Sequence, residues 1–150
     1  MKAQLTIIAV AFFALSPFAH ADAPGRHPGY LHALTDLRDA RWNLKNRPGD
    51  AAVSGHEDVA LSEIERALSD VKTAARFDEK DLRVAEPVDA HLDRPGRLHH
   101  ALDLLRQAHA DLDAEEDNPA VRGLKHSALA HVDRAAEATE HAIRDVEYHH

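Results

Sequence analysis

The chain has 150 residues and no cysteine. This excludes a disulfide framework, a thiolate metal site, a cysteine nucleophile and the C-x-x-C-H attachment of c-type haem. The only methionine is Met1, so Met/His ligation of haem is excluded as well, and no haem is expected. Positive charge is scarce: 18 Lys and Arg stand against 26 Asp and Glu, for a formal charge of −8. Nucleic-acid binding driven by phosphate neutralisation needs the opposite balance. Aromatics are few, and beyond Ala21 they are Tyr30, Trp42, Phe77 and Tyr148. No basic patch interleaves with them, so nucleic acid is not an expected partner.

Long apolar runs are absent with one exception, Leu5 to Leu15 near the N-terminus. It follows Lys2 and leads into Ser16-Pro17 and Ala19-His20-Ala21. A short apolar run with a basic start and small residues at its end is the pattern of a cleaved signal peptide. The run falls short of the ~20 residues of a spanning helix. The segment 1–21 is therefore expected to be removed before Asp22, giving a periplasmic or secreted protein with no stable membrane anchor. The portion from Asp22 to His150 loses only Lys2 among the charged side chains, and carries 17 basic against 26 acidic, a charge of −9. Histidine is over-used, with 12 in that portion.

What is present is helical periodicity. Tyr30, Leu34, Leu37 and Leu44 share one face. Ala60, Leu61, Ile64, Ala67, Leu68, Val71, Ala74 and Ala75 recur at steps of three and four. Leu98, Leu102, Leu105 and Leu112 form a third stripe, and Ala128, Leu129, Val132, Ala135, Ala136, Thr139, Ala142, Ile143 and Val146 a fourth. Each predicts an amphipathic helix. Ser54-x-x-Glu57 reads as a capping box, and Asn118-Pro119 as an N-cap followed by a first-turn proline. Helices are predicted near 29–46, 55–77, 96–115 and 119–147, with no strand.

With position 32 laid on position 100, an offset of 68, the chain matches itself. His32, Ala33, Leu34, Leu37, Arg38, Ala40 and Leu44 fall on identical residues from 100 to 112. Ala52, Val53, Gly55, Ala60, Leu61, Arg66, Ala67, Ala74 and Arg76 match 120 to 144 in the same register. A fixed offset held across a loop predicts a duplicated helical hairpin. The expected fold is all-α: an antiparallel up-down four-helix bundle of two hairpins, 28–77 and 95–150, joined by a linker over 78–94 within a single domain, 22–150. In the up-down-up-down order, helices one and three begin at the same end.

The opening His27-Pro28-Gly29-Tyr30-Leu31-His32-Ala33-Leu34-x-Asp36-Leu37-Arg38 resembles a group of exported bacterial helical-bundle proteins, and the Glu115-Glu116-Asp117-Asn118 loop adds to the likeness. The resemblance implies the architecture and brings no activity with it.

Enzymatic chemistry finds little support. Di-iron bundles need Glu-x-x-His on two helices, and the only such motif is Glu147 to His150. No His-Glu-x-x-His, phosphate-binding glycine loop or Gly-x-Ser-x-Gly occurs, so the protein is expected not to be an enzyme. Histidines precede aspartates by four positions at His32/Asp36, His99/Asp103, His109/Asp113 and His141/Asp145, a spacing that puts both on one helix face. Arg41 and Asp58 are expected to face each other in hairpin one, and their counterparts His109 and His126 in hairpin two.

Two functions follow. The first is binding or buffering of a divalent transition metal, Cu(II), Zn or Ni, which neutral imidazoles suit. Its ligands would come from a histidine-rich pole: His32, His99, His100, His141, His149 and His150. The second is a non-catalytic interaction or acid-stress protein whose histidines form a pH-dependent charge switch. With all 12 protonated, −9 becomes +3.

Overall fold

A computed structural model describes residues 29–46, 54–77, 94–114 and 119–148. The signal segment, the linker and the tail histidines His149 and His150 lie outside the described residues. Four helices make up the fold: α1 (Gly29–Lys45), α2 (Gly55–Phe77), α3 (Arg94–Asp113) and α4 (Arg122–Tyr148). There is no strand among the described residues. The predicted boundaries agree to within about three residues, and α4 departs most because a turn occupies 119–121.

Local chemistry sets several ends. The Glu57 backbone N–H lies 3.3 Å from the Ser54 hydroxyl oxygen, so Ser54 caps α2 as the motif implied. The Asn46 side chain donates to the Trp42 carbonyl at the end of α1. The α3 end is held from another helix. The Lys125 ammonium lies 2.8 Å from the Ala114 carbonyl and 3.3 Å from that of Asp113. A cation there satisfies carbonyls that the helix leaves without partners.

The helices pack as a bundle around one core. α1 lies against α2 and α3, and α4 against α2 and α3. The core uses the stripes read from sequence. Tyr30, Leu34, Leu37 and Leu44 are buried on α1, and Ile64, Leu68 and Val71 on α2. Leu98, Leu102, Leu105 and Leu112 on α3 and Val132, Ile143 and Val146 on α4 complete it.

The interface of α2 with α4 has its own pattern. On α2, positions 56, 60, 63, 67, 70 and 74 fall at steps of three and four, and hence on one face. On α4 the matching face carries 131, 135, 138, 142 and 145. Ala60, Ala67, Ala74, Ala135 and Ala142 are fully buried there. Polar residues at positions 56, 63 and 70 alternate with these alanines, and α4 answers them at 131, 141 and 145.

Candidate functional site: histidine contacts along the fourth helix

Histidines and carboxylates meet mainly across helices. His56 Nδ1 on α2 lies 2.9 Å from Asp145 Oδ2 on α4. The His56 ring stacks on His141, with centroids 5.0 Å apart and planes 23° from parallel. His99 Nε2 on α3 lies 3.8 Å from Glu147 Oε1. His109 Nε2 lies 3.2 Å from Asp133 Oδ1. His99 and His109 of those four-apart pairs have carboxylate partners on neighbouring helices, and Asp145 also meets His56. Asp103 meets Arg106 at 3.6 Å.

The most buried of these contacts is on the face between α2 and α4. His131 Nδ1 lies 2.6 Å from Glu63 Oε2, and His131 Nε2 lies 4.0 Å from Asp70 Oδ2. The Glu63 side chain is only 9% exposed and that of His131 18%. Two guanidinium groups close the cluster. Arg66 Nη1 donates to Glu63 Oε1 at 2.6 Å, and Arg134 Nε to Glu63 Oε2 at 3.0 Å. Burial pushes the Glu63 carboxyl up. The hydrogen bonds from His131 and Arg134 and the charges of Arg134 and Arg66 outweigh it, and hold the group below its ordinary value of 4.5.

The nominated metal ligands are only partly together. His141 meets His56, which the sequence reading left out, and Asp145 adjoins them. His99 is at Glu147, two positions on in the same last turns of α4. His100 is half-buried on α3 beside His99. His32 does not join them. It lines a polar cleft of about 250 Å³ with Thr35, Asp36, Gln107 and Asp111, between the first half of α1 and the second half of α3. Among the described residues, no group of three or more His, Asp or Glu is placed to hold a metal ion. For Arg41 and His109, expected to face Asp58 and His126, the ion pairs seen are with other residues of the same helices. Arg41 Nη1 meets Glu65 Oε1 at 2.8 Å, and His109 meets Asp133. The partner sits on the expected helix, two turns further along.

Sequence reasoning missed the Glu63–His131 cluster. The signal for it was present: Glu63 and His131 are counterparts at the offset of 68, and Arg66 and Arg134 are counterparts at the same offset.

No helix of the described residues is long and apolar enough to cross a membrane. No protein-family model matches the chain, and neither a curated protein nor a solved structure is similar to it.

Proposed function

We propose that this chain is two diverged copies of one helical hairpin, packed so that every helix runs opposite to both of its neighbours. The contacts support it. The start of α2 meets the end of α4 through His56 and Asp145. The start of α3 meets the end of α4 through His99 and Glu147, with Arg106–Glu140 and His109–Asp133 following in sequence. The first half of α1 lies by the second half of α3. In this arrangement α1 and α3 begin at opposite ends, and a pseudo-two-fold axis crosses the helices. Matched contacts favour the duplication. Arg41–Glu65 in one hairpin becomes His109–Asp133 in the other at the same offset. Glu63 and His131 touch because equivalent positions meet on a two-fold axis. The end of α2 and the start of α3 then lie about 34 Å apart, the length of a 23-residue helix, a span that the number of residues between Phe77 and Arg94 can cover. Hairpins that fail to superpose at that offset in an experimental structure overturn this reading.

The function we infer is that of an exported, non-catalytic protein whose histidines switch its charge, and the contacts between its helices, with pH. One observation carries it: histidine–carboxylate contacts bridge separate helices, at His56–Asp145, His99–Glu147, His109–Asp133 and His131–Glu63. Each is an ion pair only when the imidazole is protonated. Mild acid therefore alters the contacts of α4 with α2 and α3 as well as the net charge. The test follows thermal unfolding and sedimentation between pH 7.5 and 5.5. The unfolding midpoint or the state of association should track pH across that range, and a flat response in both overturns the inference.

A second reading is favoured by the His56–His141 stack with Asp145 beside it. Rotation of those half-exposed rings would present two imidazoles and a carboxylate to Cu(II), Zn or Ni, with His99 and His100 on the adjoining helix start. Saturable sub-micromolar metal binding at pH 7.5 supports this second reading and argues against the first.

A further inference from the structure

The His131 ring has contacts that no neutral imidazole satisfies. Its Nδ1 lies 2.6 Å from Glu63 Oε2 and also 2.7 Å from Arg134 Nη2. A carboxylate oxygen only accepts and a guanidinium nitrogen only donates. One ring nitrogen therefore serves one of them at a time. Its Nε2 points at a second carboxylate, Asp70, at 4.0 Å. With the proton on Nε2 alone, the bare Nδ1 accepts from Arg134 but faces the Glu63 oxygen lone pair to lone pair. With it on Nδ1 alone, the ring donates to Glu63 and turns a bare Nε2 toward Asp70. Only the imidazolium has a proton for each carboxylate.

We propose that His131 is a proton-operated clasp between α2 and α4: the neutral ring bonds within α4 to Arg134, and the protonated ring releases that guanidinium group and bonds across to Glu63 and Asp70. The release is feasible because the Arg134 side chain is half-exposed and retains its Nε bond to Glu63. The charges around the ring are Glu63, Asp70 and, through Glu63, Arg66 from α2, and Arg134 from α4 itself. The α3 groups recorded against α4 act elsewhere, on Asp133, Glu140 and Glu147. The clasp joins the second and fourth helices, and so ties one hairpin to the other. It rests on the reading of the histidines as a pH switch and assigns that switch its principal residue.

The test pairs a spectroscopic readout with a stability readout on the whole protein. Nitrogen-15 correlation spectra of the His131 ring and of the Arg134 guanidinium group are recorded from pH 7.5 to 5.5. Thermal unfolding is followed over the same range for the wild type, His131→Asn and Asp70→Asn. Asparagine keeps a donor near the Nδ1 position and removes the titration. Both ring nitrogens should become protonated as the Arg134 Nη signal changes with the same midpoint. The wild-type unfolding midpoint should rise by about 3 °C, and both variants should lose most of that rise. If His131 gains its second proton with the Arg134 signals unmoved, the clasp is overturned. A rise retained in full by His131→Asn, or by Asp70→Asn where the first variant does not fold, overturns it too while the wider pH reading stands. Coupled His131 and Arg134 signals in a protein whose unfolding midpoint and sedimentation are both flat support the local exchange and remove the wider reading.

Discussion

Glu63 illustrates how a buried charge is kept. Its carboxylate is nearly out of solvent, yet it receives Arg66, Arg134 and His131, which is what lets a buried ion remain ionised. Glu63→Gln leaves a polar group of the same shape but removes the charge from three contacts. Both arginine side chains are half-exposed or more and can rehydrate, so the loss should be about 1–2 kcal/mol at pH 7 rather than that of a fully buried pair. Urea unfolding at pH 7 measures it, and a loss below about 0.5 kcal/mol would show that the cluster contributes little. The pH dependence has a definite sign. A carboxyl whose folded value lies below its unfolded value stabilises the fold above the unfolded value, and that contribution disappears as pH falls through the folded one. Its own titration should therefore leave the difference between wild type and Glu63→Gln undiminished above about pH 5.5, where closure of the His131 clasp adds to it, and shrink it only below the ordinary glutamate value of 4.5. A difference that shrinks between pH 7 and 6 contradicts the direction of the shift.

At the scale of elements, the four helices and their buried stripes were legible because burial follows a 3.6-residue period that composition cannot hide. Leu34, Leu37, Ile64, Leu105 and Val132 all lie where the period put them. Which stripe faces which was not legible. A hairpin's own helices are joined by a short loop, but α2 ends at Phe77 and α3 begins only at Arg94, and a link of that length fits either order of the ends. That freedom is why His32 was expected beside His99 and is found beside Asp111. The same freedom hid the contact of His131 with Glu63, because nothing in the sequence says that α4 faces α2. The α2/α4 face makes a further prediction. Ala67 and Ala135 are fully buried near the middle of that face, where small side chains let the backbones come close. Ala67→Leu or Ala135→Leu should force the helices apart and cost about 1–3 kcal/mol. Ala110→Leu, on the exposed face of α3, is the control and should be near neutral by the same denaturant titration. Equal effects at all three positions would show that the face is not tightly packed.

At the scale of the molecule, charge and metal chemistry compete for the same side chains. The portion after the expected cleavage point carries −9 with neutral histidines and +3 with all 12 protonated, so electrophoretic mobility should reverse in mild acid. Glu63 stays ionised through that reversal, because its carboxyl is held below its ordinary value. A transition metal needs the opposite state, with imidazoles neutral and converging. The described histidines converge in twos, as in His56 with His141, and pair with carboxylates elsewhere. Two imidazoles and an aspartate, each half-exposed, must be ordered by the metal itself, whereas three pre-positioned ligands would not. Calorimetric titration with Cu(II), Zn and Ni at pH 7.5 should accordingly give weak, non-stoichiometric binding. Replacing His99, His100 and His141 together with Ala should leave that binding almost unchanged. The outcome that reverses the ranking is a single saturable site below micromolar Kd that this triple replacement weakens by tenfold or more. Such a site would make metal capture the function of the pole formed by the start of α3 and the end of α4, and would leave the His131 clasp as a separate device on the neighbouring face.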